Sequence, residues 1–500
     1  MKYDRRLAFF EVPRGVTNQH SNLHPRQPAS FARWCLACAT VLASLWLAGG
    51  ASAQERPGVP VLAPASPFWG GVPTGTPTTE PIALSRDAAL QSAVAHNLGV
   101  LNAEEAVGRA GGARWIALSE MLPNVKGSIG ETERKTNLEA FGFPLAPPFP
   151  RVVGPFDVFD ARLFVRQSVF DLRAINSLRA ENYRVSAAKY TYRSARDLIV
   201  LVAANLYLQA VAAGARADAA RAQLDTAKAL HVQAQDLKDA GTVAGIDVLR
   251  AEVRLSTEQQ ASTAARNGFE KAKLQLARMI GLPLRQEFTL TQTLPNMPLP
   301  QFTVDEVVAQ AYQQRPDFLA AQQRVKAAEA EVKAAQAGHL PSVEVVGDYG
   351  VIGLSVGQSL ATFAVTGQVN VPLFEGGKTH GRVAQAQADL GQRRAELEDL
   401  KASIYYNTRS AFLDLQAAEE QMQTVTRARS LAELQLTQAR DRFAAGVVNN
   451  LEVVQAQEAV ASASERYIAA LYDLNIAKAL VLGSPGSLEQ AIQKYLGSAN

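Results

Sequence analysis

A glycine turn that occurs twice between long helical patterns constrains this chain more than any other feature. The stretch Arg442-Phe-Ala-Ala-Gly446-Val-Val-Asn-Asn-Leu451-Glu-Val-Val-Gln455-Ala-Gln-Glu interrupts a run of alanine and polar residues and then resumes it. Leu237-Lys-Asp-Ala-Gly241-Thr-Val-Ala-Gly-Ile246-Asp-Val-Leu-Arg250-Ala-Glu does the same. The offset is 205 (446 − 241), and it sets Leu451 on Ile246, Glu452 on Asp247, Val454 on Leu249 and Ala456 on Ala251. Glycine at a helix end takes a left-handed backbone conformation without a Cβ clash, which lets the chain reverse. A second block repeats without a gap at offset 218 (302 − 84 and 341 − 123), so that Val107 meets Val325, Ala110 meets Ala328, Leu122 meets Leu340 and Val125 meets Val343. Two blocks repeated in the same order describe a duplicated helical hairpin.

Each repeat opens with a helix: Ser85 is the expected N-cap in Leu84-Ser-Arg-Asp87, and Phe302-Thr303-Val-Asp305 is its counterpart. These helices are expected to run unbroken to Pro123 and Pro341. Beyond each proline the period changes from helical to alternating. Val343, Val345, Gly347, Tyr349 and Val351 alternate with Glu344, Val346, Asp348 and Gly350; Phe363, Val365, Gly367, Val369 and Val371 alternate with Ala364, Thr366, Gln368 and Asn370. The first repeat offers 159–166 as one strand and, with poorer alternation, 125–134 as another. Strands of about ten residues cross a bilayer at the usual tilt. Four strands from one chain leave two edges, so partner chains are needed for closure.

Long helices follow the strands. Residues 176–239 and 379–444 contain no proline, and at 1.5 Å per residue they reach roughly 95–100 Å. The shorter helices, 85–121 and 246–279, laid end to end match one long helix, which describes a cylinder wall of long helices alternating with stacked short pairs. The apolar run at 198–213 is interrupted by Asn205 and Gln209, and the expected reading is a helix packed on two sides, not a membrane span.

Arg33 precedes the apolar run 35–47, which ends at Gly49-Gly-Ala51-Ser-Ala53, so residues 1–53 are expected to be a cleaved signal peptide with an unusually long leader before its apolar run. That segment holds both cysteines, Cys35 and Cys38, and carries Lys2, Arg5, Arg6, Arg14, Arg26 and Arg33 against Asp4 and Glu11. Removing its net +4 from the total of +3 leaves the rest near −1, and no nucleic-acid partner is expected. Residues 54–83, rich in Pro, Gly and Thr, are expected to form an extended or disordered arm. The first repeat is taken as 84–295, the second as 302–483, and 484–500 as a tail. His96, His231, His339 and His380 share no ligand spacing, so neither metal nor cofactor is expected. Gly108-Arg-Ala-Gly111-Gly112 sits inside a helical pattern and not between strand and helix. No enzyme is expected.

The paired tips, the Leu122-Pro123 and Leu340-Pro341 junctions and Val371-Pro-Leu-Phe374-Glu-Gly-Gly377 resemble the TolC-like outer-membrane efflux proteins over residues 84–483. The resemblance implies a mainly α fold with β: duplicated long hairpins forming a periplasmic α-barrel, and four strands per chain in a trimeric, twelve-stranded outer-membrane β-barrel. It implies a homotrimer in outer-membrane lipid, served by a periplasmic adaptor protein and an inner-membrane pump. The tips would form the gate, with Glu452 and Gln455 at the narrowest ring and Asp247 and Arg250 as their counterparts in the first repeat. A basic lock residue of the family would fall at Val448. Gly241, Thr242, Val243, Gly446, Val447 and Val448 would dock the adaptor, and Arg162, Arg166, Glu344 and Asp348 on the polar strand faces would line the lumen. The rival is the adaptor itself, but that protein has one hairpin flanked by halves of a β-domain, where this chain has two hairpins with strands at their far ends.

Overall fold

A computed structural model describes residues 66–142, 148, 150–291, 303–445, 447–448 and 450–486. The expected signal peptide, the arm up to residue 65, Phe302, Gly446 and the tail from 487 lie outside the described residues. The elements run β1 (Ile82–Leu84), α1 (Arg86–His96), α2 (Leu98–Ser119), β2 (Asn124–Asn137), β3 (Val152–Phe170), α3 (Leu172–Asp239), α4 (Gly245–Ile280), β4 (Phe288–Leu290), α5 (Val304–Gln314), α6 (Pro316–Ala337), β5 (Ser342–Gly353), β6 (Leu360–Asn370), α7 (Lys378–Ala444) and α8 (Asn450–Gly483).

The two long helices, α3 with 68 residues and α7 with 67, match one another, and each spans roughly 100 Å at the α-helical rise. Ser85 caps α1 by accepting from Ala88 N, and Thr303 caps α5 in a reciprocal box with Glu306. The expected unbroken opening helix is a broken one. Asn97 (φ −69°, ψ 130°) leaves the helix and its side chain accepts from Gly99 N, so it ends α1 and caps α2. Arg315 (φ −62°, ψ 122°) also leaves the helix before Pro316, without a side-chain cap, because proline crowds the preceding residue out of the helical region. The breaks fall at one offset, 315 − 97 = 218, and the segments on either side have equal lengths, 11 and 22 residues in each repeat.

The arm is also more ordered than expected from residue 66 onward. Gly71 N donates to Arg278 O, Val72 N to His96 O and Thr74 N to Gly281 O. Thr78 N donates to Gln286 Oε1 at 2.6 Å. A Cβ on Gly71 would stand 2.6 Å from Gly281 N, so glycine is what lets the arm lie against the α4 end. β1 then pairs in parallel with β4.

Among the described helices, α3 alone is long and apolar enough to cross a membrane, yet its apolar stretch lies in the protein core. Ile199, Val200, Ala203, Tyr207 and Ala210 are buried against Leu276, Met279 and Ile280 of α4 and Leu90 of α1. Asn205 accepts from Tyr472 Oη at 2.5 Å and Tyr207 Oη donates to Leu84 O. Asn205 is thereby satisfied inside the bundle, while Gln209, the other residue that interrupts the apolar run, faces outward and is exposed.

Four strands form one antiparallel sheet in the order β2-β3-β5-β6. All four exceed or equal their expected lengths; β3 runs 19 residues and passes through Gly154 and Pro155, beyond the expected 159–166. Registered rows separate the two faces. Val125, Val165, Gly347 and Val365 form one row, and Gly127, Leu163, Tyr349 and Phe363 the next on the same face. Ser128, Arg162, Gly350 and Thr362 form a row on the opposite face. Ile129, Tyr349, Phe363 and Val365 are largely exposed, so this face has no cover among the described residues.

Candidate functional site: the helical tips and the charged sheet face

Both tips close by the same hydrogen bonds. Thr242 N donates to Leu237 O at 2.9 Å, and Val447 N to Arg442 O at 3.0 Å, an equivalence at offset 205 (447 − 242 and 442 − 237). Gly241 takes φ +72° with nothing near its missing Cβ, the glycine-favoured geometry of a helix C-terminus. Val248, Ala251 and Ala234 pack in the first tip. Their counterparts Val453, Ala456 and Ala439 pack in the second with Phe443 and Val448, and Leu230 and Leu237 of α3, from the first hairpin, join that cluster. Phe443 stands where the first repeat has exposed Lys238, which accounts for the thicker second tip.

The acidic residues of the two tips are both paired, in different ways. Arg442 Nη1 donates to Glu452 Oε1 at 2.6 Å, joining α7 to α8 across the turn. Arg250 Nη1 donates to Asp247 Oδ1 at 3.2 Å, within one turn of α4. Gln455 is exposed one turn beyond Glu452. Arg442 was not among the residues singled out in the sequence; its counterpart is Leu237, so the repeat itself hides it. Its signal is its place at the last turn of α7, ten residues before Glu452 across the reversal. The docking residues also separate: Thr242 and Val447 are exposed, while Val243 and Val448 are half-buried, Val448 against Phe443.

On the sheet, the four charged residues come together on one face. Arg162 donates to Asp348 at 3.0 Å and to Asp160 at 2.5 Å, and its guanidinium lies over the Phe164 ring. Arg166 reaches Glu344 at 2.6 Å, and Asn370 Nδ2 donates to the other oxygen of that carboxylate. Gly350 makes room for this: a Cβ there would stand 2.8 Å from Arg162 Cγ and 2.1 Å from Ala161 O. Asp160 is the residue missed here, and with it the cluster carries three carboxylates against two guanidiniums.

Farther along the bundle, burial pushes the Asp414 carboxyl up from its ordinary range, against a hydrogen bond from Ser410. Burial likewise pushes the Lys478 ammonium down, opposed by Glu419. Among the described residues no three His, Cys, Asp or Glu side chains are grouped to hold a metal ion.

A family model described as outer membrane efflux protein matches residues 89–282 and 307–482. The chain belongs to that family. The match covers both repeats and sets aside the adaptor alternative. It also places the protein in the outer membrane, with its helices extending on the periplasmic side. The outer membrane efflux protein BepC of Brucella suis biovar 1 (strain 1330) is 26% identical over 254 residues, 50% of this chain and 55% of that protein. The outer membrane protein TolC of Escherichia coli (strain K12) is 22% identical over 346 residues, 66% of this chain and 70% of that one. This chain thus spans about half the length of BepC. The solved structure of the outer-membrane channel OprN superposes with a TM-score of 0.71 at 21% identity, covering 81% of this chain and 90% of that one. The fold is that of a TolC-like channel, a helical body joined to a β part.

Proposed function

We propose that this protein is an outer-membrane channel-tunnel, the exit duct of a tripartite efflux or secretion system, gated at its helical tips. The observation that carries the reading is a single sheet with an apolar band on one face (Val125, Ile129, Leu163, Val165, Tyr349, Phe363), paired charges on the other and two edges open among the described residues, built on two helical hairpins of roughly 100 Å. An apolar face without cover suits lipid, and a charged face on the same strands suits a water-filled lumen. Open edges are not tolerated in hydrocarbon, so the sheet must close with further strands. Three copies give twelve strands and a closed barrel, with the helices forming a hollow cylinder below.

Within that duct, Arg162, Arg166, Glu344 and Asp348 line the lumen as paired charges. Their mixed sign gives little preference among solutes. The tips close the periplasmic end, with Glu452 on the narrowest ring and Gln455, Asp247 and Arg250 beside it. Val448 stands at the position of the family's basic lock, so Arg442, four residues before Gly446, supplies the positive charge at this gate. A periplasmic adaptor fed by an inner-membrane pump docks on the turns, where Thr242 and Val447 are the outward groups, flanked by Gly241, Val243, Gly446 and Val448. The function is transport, with no catalytic step assigned to any residue.

The test is extraction from the outer membrane in detergent, native mass, and conductance in planar bilayers. The reading expects a mass of three chains and a channel that is closed for most of the recording. A monomer without conductance contradicts it.

A further inference from the structure

The internal repeat relates the two strand hairpins residue by residue. The hairpin β2-β3 sets Asn124 opposite Arg166, and the hairpin β5-β6 sets Ser342 opposite Asn370. The hairpins are therefore equivalent, with offset 218 for the first strand (342 − 124) and 204 for the second (370 − 166). Phe363 corresponds to Phe159 and Val369 to Val165 by that second offset.

The chain contains one junction between hairpins, β3 against β5. There Arg162 pairs with Gly350 and Val165 with Gly347. Arg166 meets Val346 and not Ser342, the equivalent of its own hairpin partner Asn124; the junction is stepped by four residues (346 − 342). A barrel needs such a stagger to close. The opposite edge, β6, and the free edge of β2 are the repeat equivalents of β3 and β5, and neither pairs with a further strand among the described residues.

We propose that β6 of one copy pairs antiparallel with β2 of a second copy in the register obtained by carrying the β3·β5 junction over by the repeat offsets. Arg162–Gly350 becomes Thr366 opposite Thr132, since 162 + 204 = 366 and 350 − 218 = 132. Val165–Gly347 becomes Val369 opposite Ile129, since 165 + 204 = 369 and 347 − 218 = 129. The step is an even number, so faces are preserved across the seam: a one-residue slip would exchange them. Thr366 and Thr132 meet on the charged face, where threonine pairs are favourable. Val369 and Ile129, both largely exposed in the single chain, meet on the lipid face. The occupant of each edge is a second copy of this chain, and the seam rests on the three-copy channel proposed above.

Disulfide mapping in the full-length protein tests the register. The native cysteines are Cys35 and Cys38 alone, both before the described residues, so engineered pairs are read against single-cysteine controls. Paired residues on neighbouring antiparallel strands lie within disulfide reach, about 4.5–5.5 Å between Cα atoms. Outer membranes carrying Thr132→Cys with Thr366→Cys are oxidised, run without reductant, and should give a covalent three-chain band in most of the protein. Ser128→Cys with Thr366→Cys, the unstepped register, and Thr136→Cys with Thr366→Cys, a doubled step, should give at least tenfold less. A native mass of three chains with linkage favouring 128 or 136 over 132 overturns the register while leaving the channel reading intact. A native mass other than three chains removes the ring and the seam with it.

Discussion

The two tips share one backbone and differ in what holds them. The first closes on Val248, Ala251 and Ala234, and its charges, Asp247 and Arg250, neutralise each other along one helix. The second puts Phe443 into a larger cluster and ties its two helices through Arg442 and Glu452. One turn occurs twice, and two adjacent differences, Leu237 against Arg442 and Lys238 against Phe443, accompany the larger apolar cluster and the ion pair across the second reversal. The lesson is that equivalent backbones need not carry equivalent duties. The second tip carries the larger apolar cluster, and Leu230 and Leu237 of the first hairpin pack into it, so the two tips meet there.

The largest expected difference lies in the aromatic. Phe443→Ala empties a buried site and should destabilise the second tip by about 3–5 kcal/mol, whereas Lys238→Ala at the equivalent exposed site should stay within about 0.5 kcal/mol. Hydrogen exchange of the amides around residues 436–456 and 231–251 reads both, and equal effects would erase the comparison.

A smaller effect follows from the turn. Gly241→Ala forces a left-handed conformation on a residue with a Cβ and should lose about 1–2 kcal/mol; since nothing crowds the site, the loss is conformational and should be the same at any salt concentration. Smaller again is the strut. Arg442 and Glu452 are each more than a third exposed, so Arg442→Ala should change tip stability by about 0–1 kcal/mol, and high salt should abolish the difference. Leu237→Ala, its counterpart, removes apolar packing and should respond little to salt. A salt-insensitive Arg442→Ala would mean that the arginine acts through its stem.

The smallest effect is in the bundle away from both tips. Asp414 has its carboxyl raised by burial, and its Oδ2 has no hydrogen-bond partner among the described residues. A raised carboxyl contributes stability that is present below its unfolded pKa and lost as pH rises through the folded one. Asp414→Asn should therefore raise the melting temperature at pH 7 and do so less as the pH falls toward the carboxylate range. A gain that grows on acidification would contradict the burial argument.

Much of this fold was legible in the sequence because its signals are periodic and doubled. The turn glycines and the Leu-Pro junctions appear where two copies reinforce one another, and β5 and β6 show through their own alternation. What escaped was local or unrepeated. The breaks at Asn97 and Arg315 occupy single residues and pass unnoticed within an eleven-residue helical window, although Pro316 marks one of them. The ends of β3 hide behind Gly154 and Pro155. The ordered part of the arm depends on hydrogen bonds from Gly71 and Thr74 to the far end of α4, which no local pattern encodes. For the site, the four strand charges were legible from alternation, while Asp160 and Arg442 emerge only when partners are seen in space.

The most direct test of the gate is the reversal potential under a salt gradient for Arg442→Ala and Glu452→Ala in planar bilayers. Arg442→Ala leaves a ring of three unneutralised carboxylates, which repel one another and attract cations. That variant should open more often and shift toward cation preference. Glu452→Ala leaves three guanidiniums and should shift the potential the opposite way. Shifts in opposite directions put the constriction at the second tip; a channel whose ion preference is the same in both variants as in the wild type contradicts it.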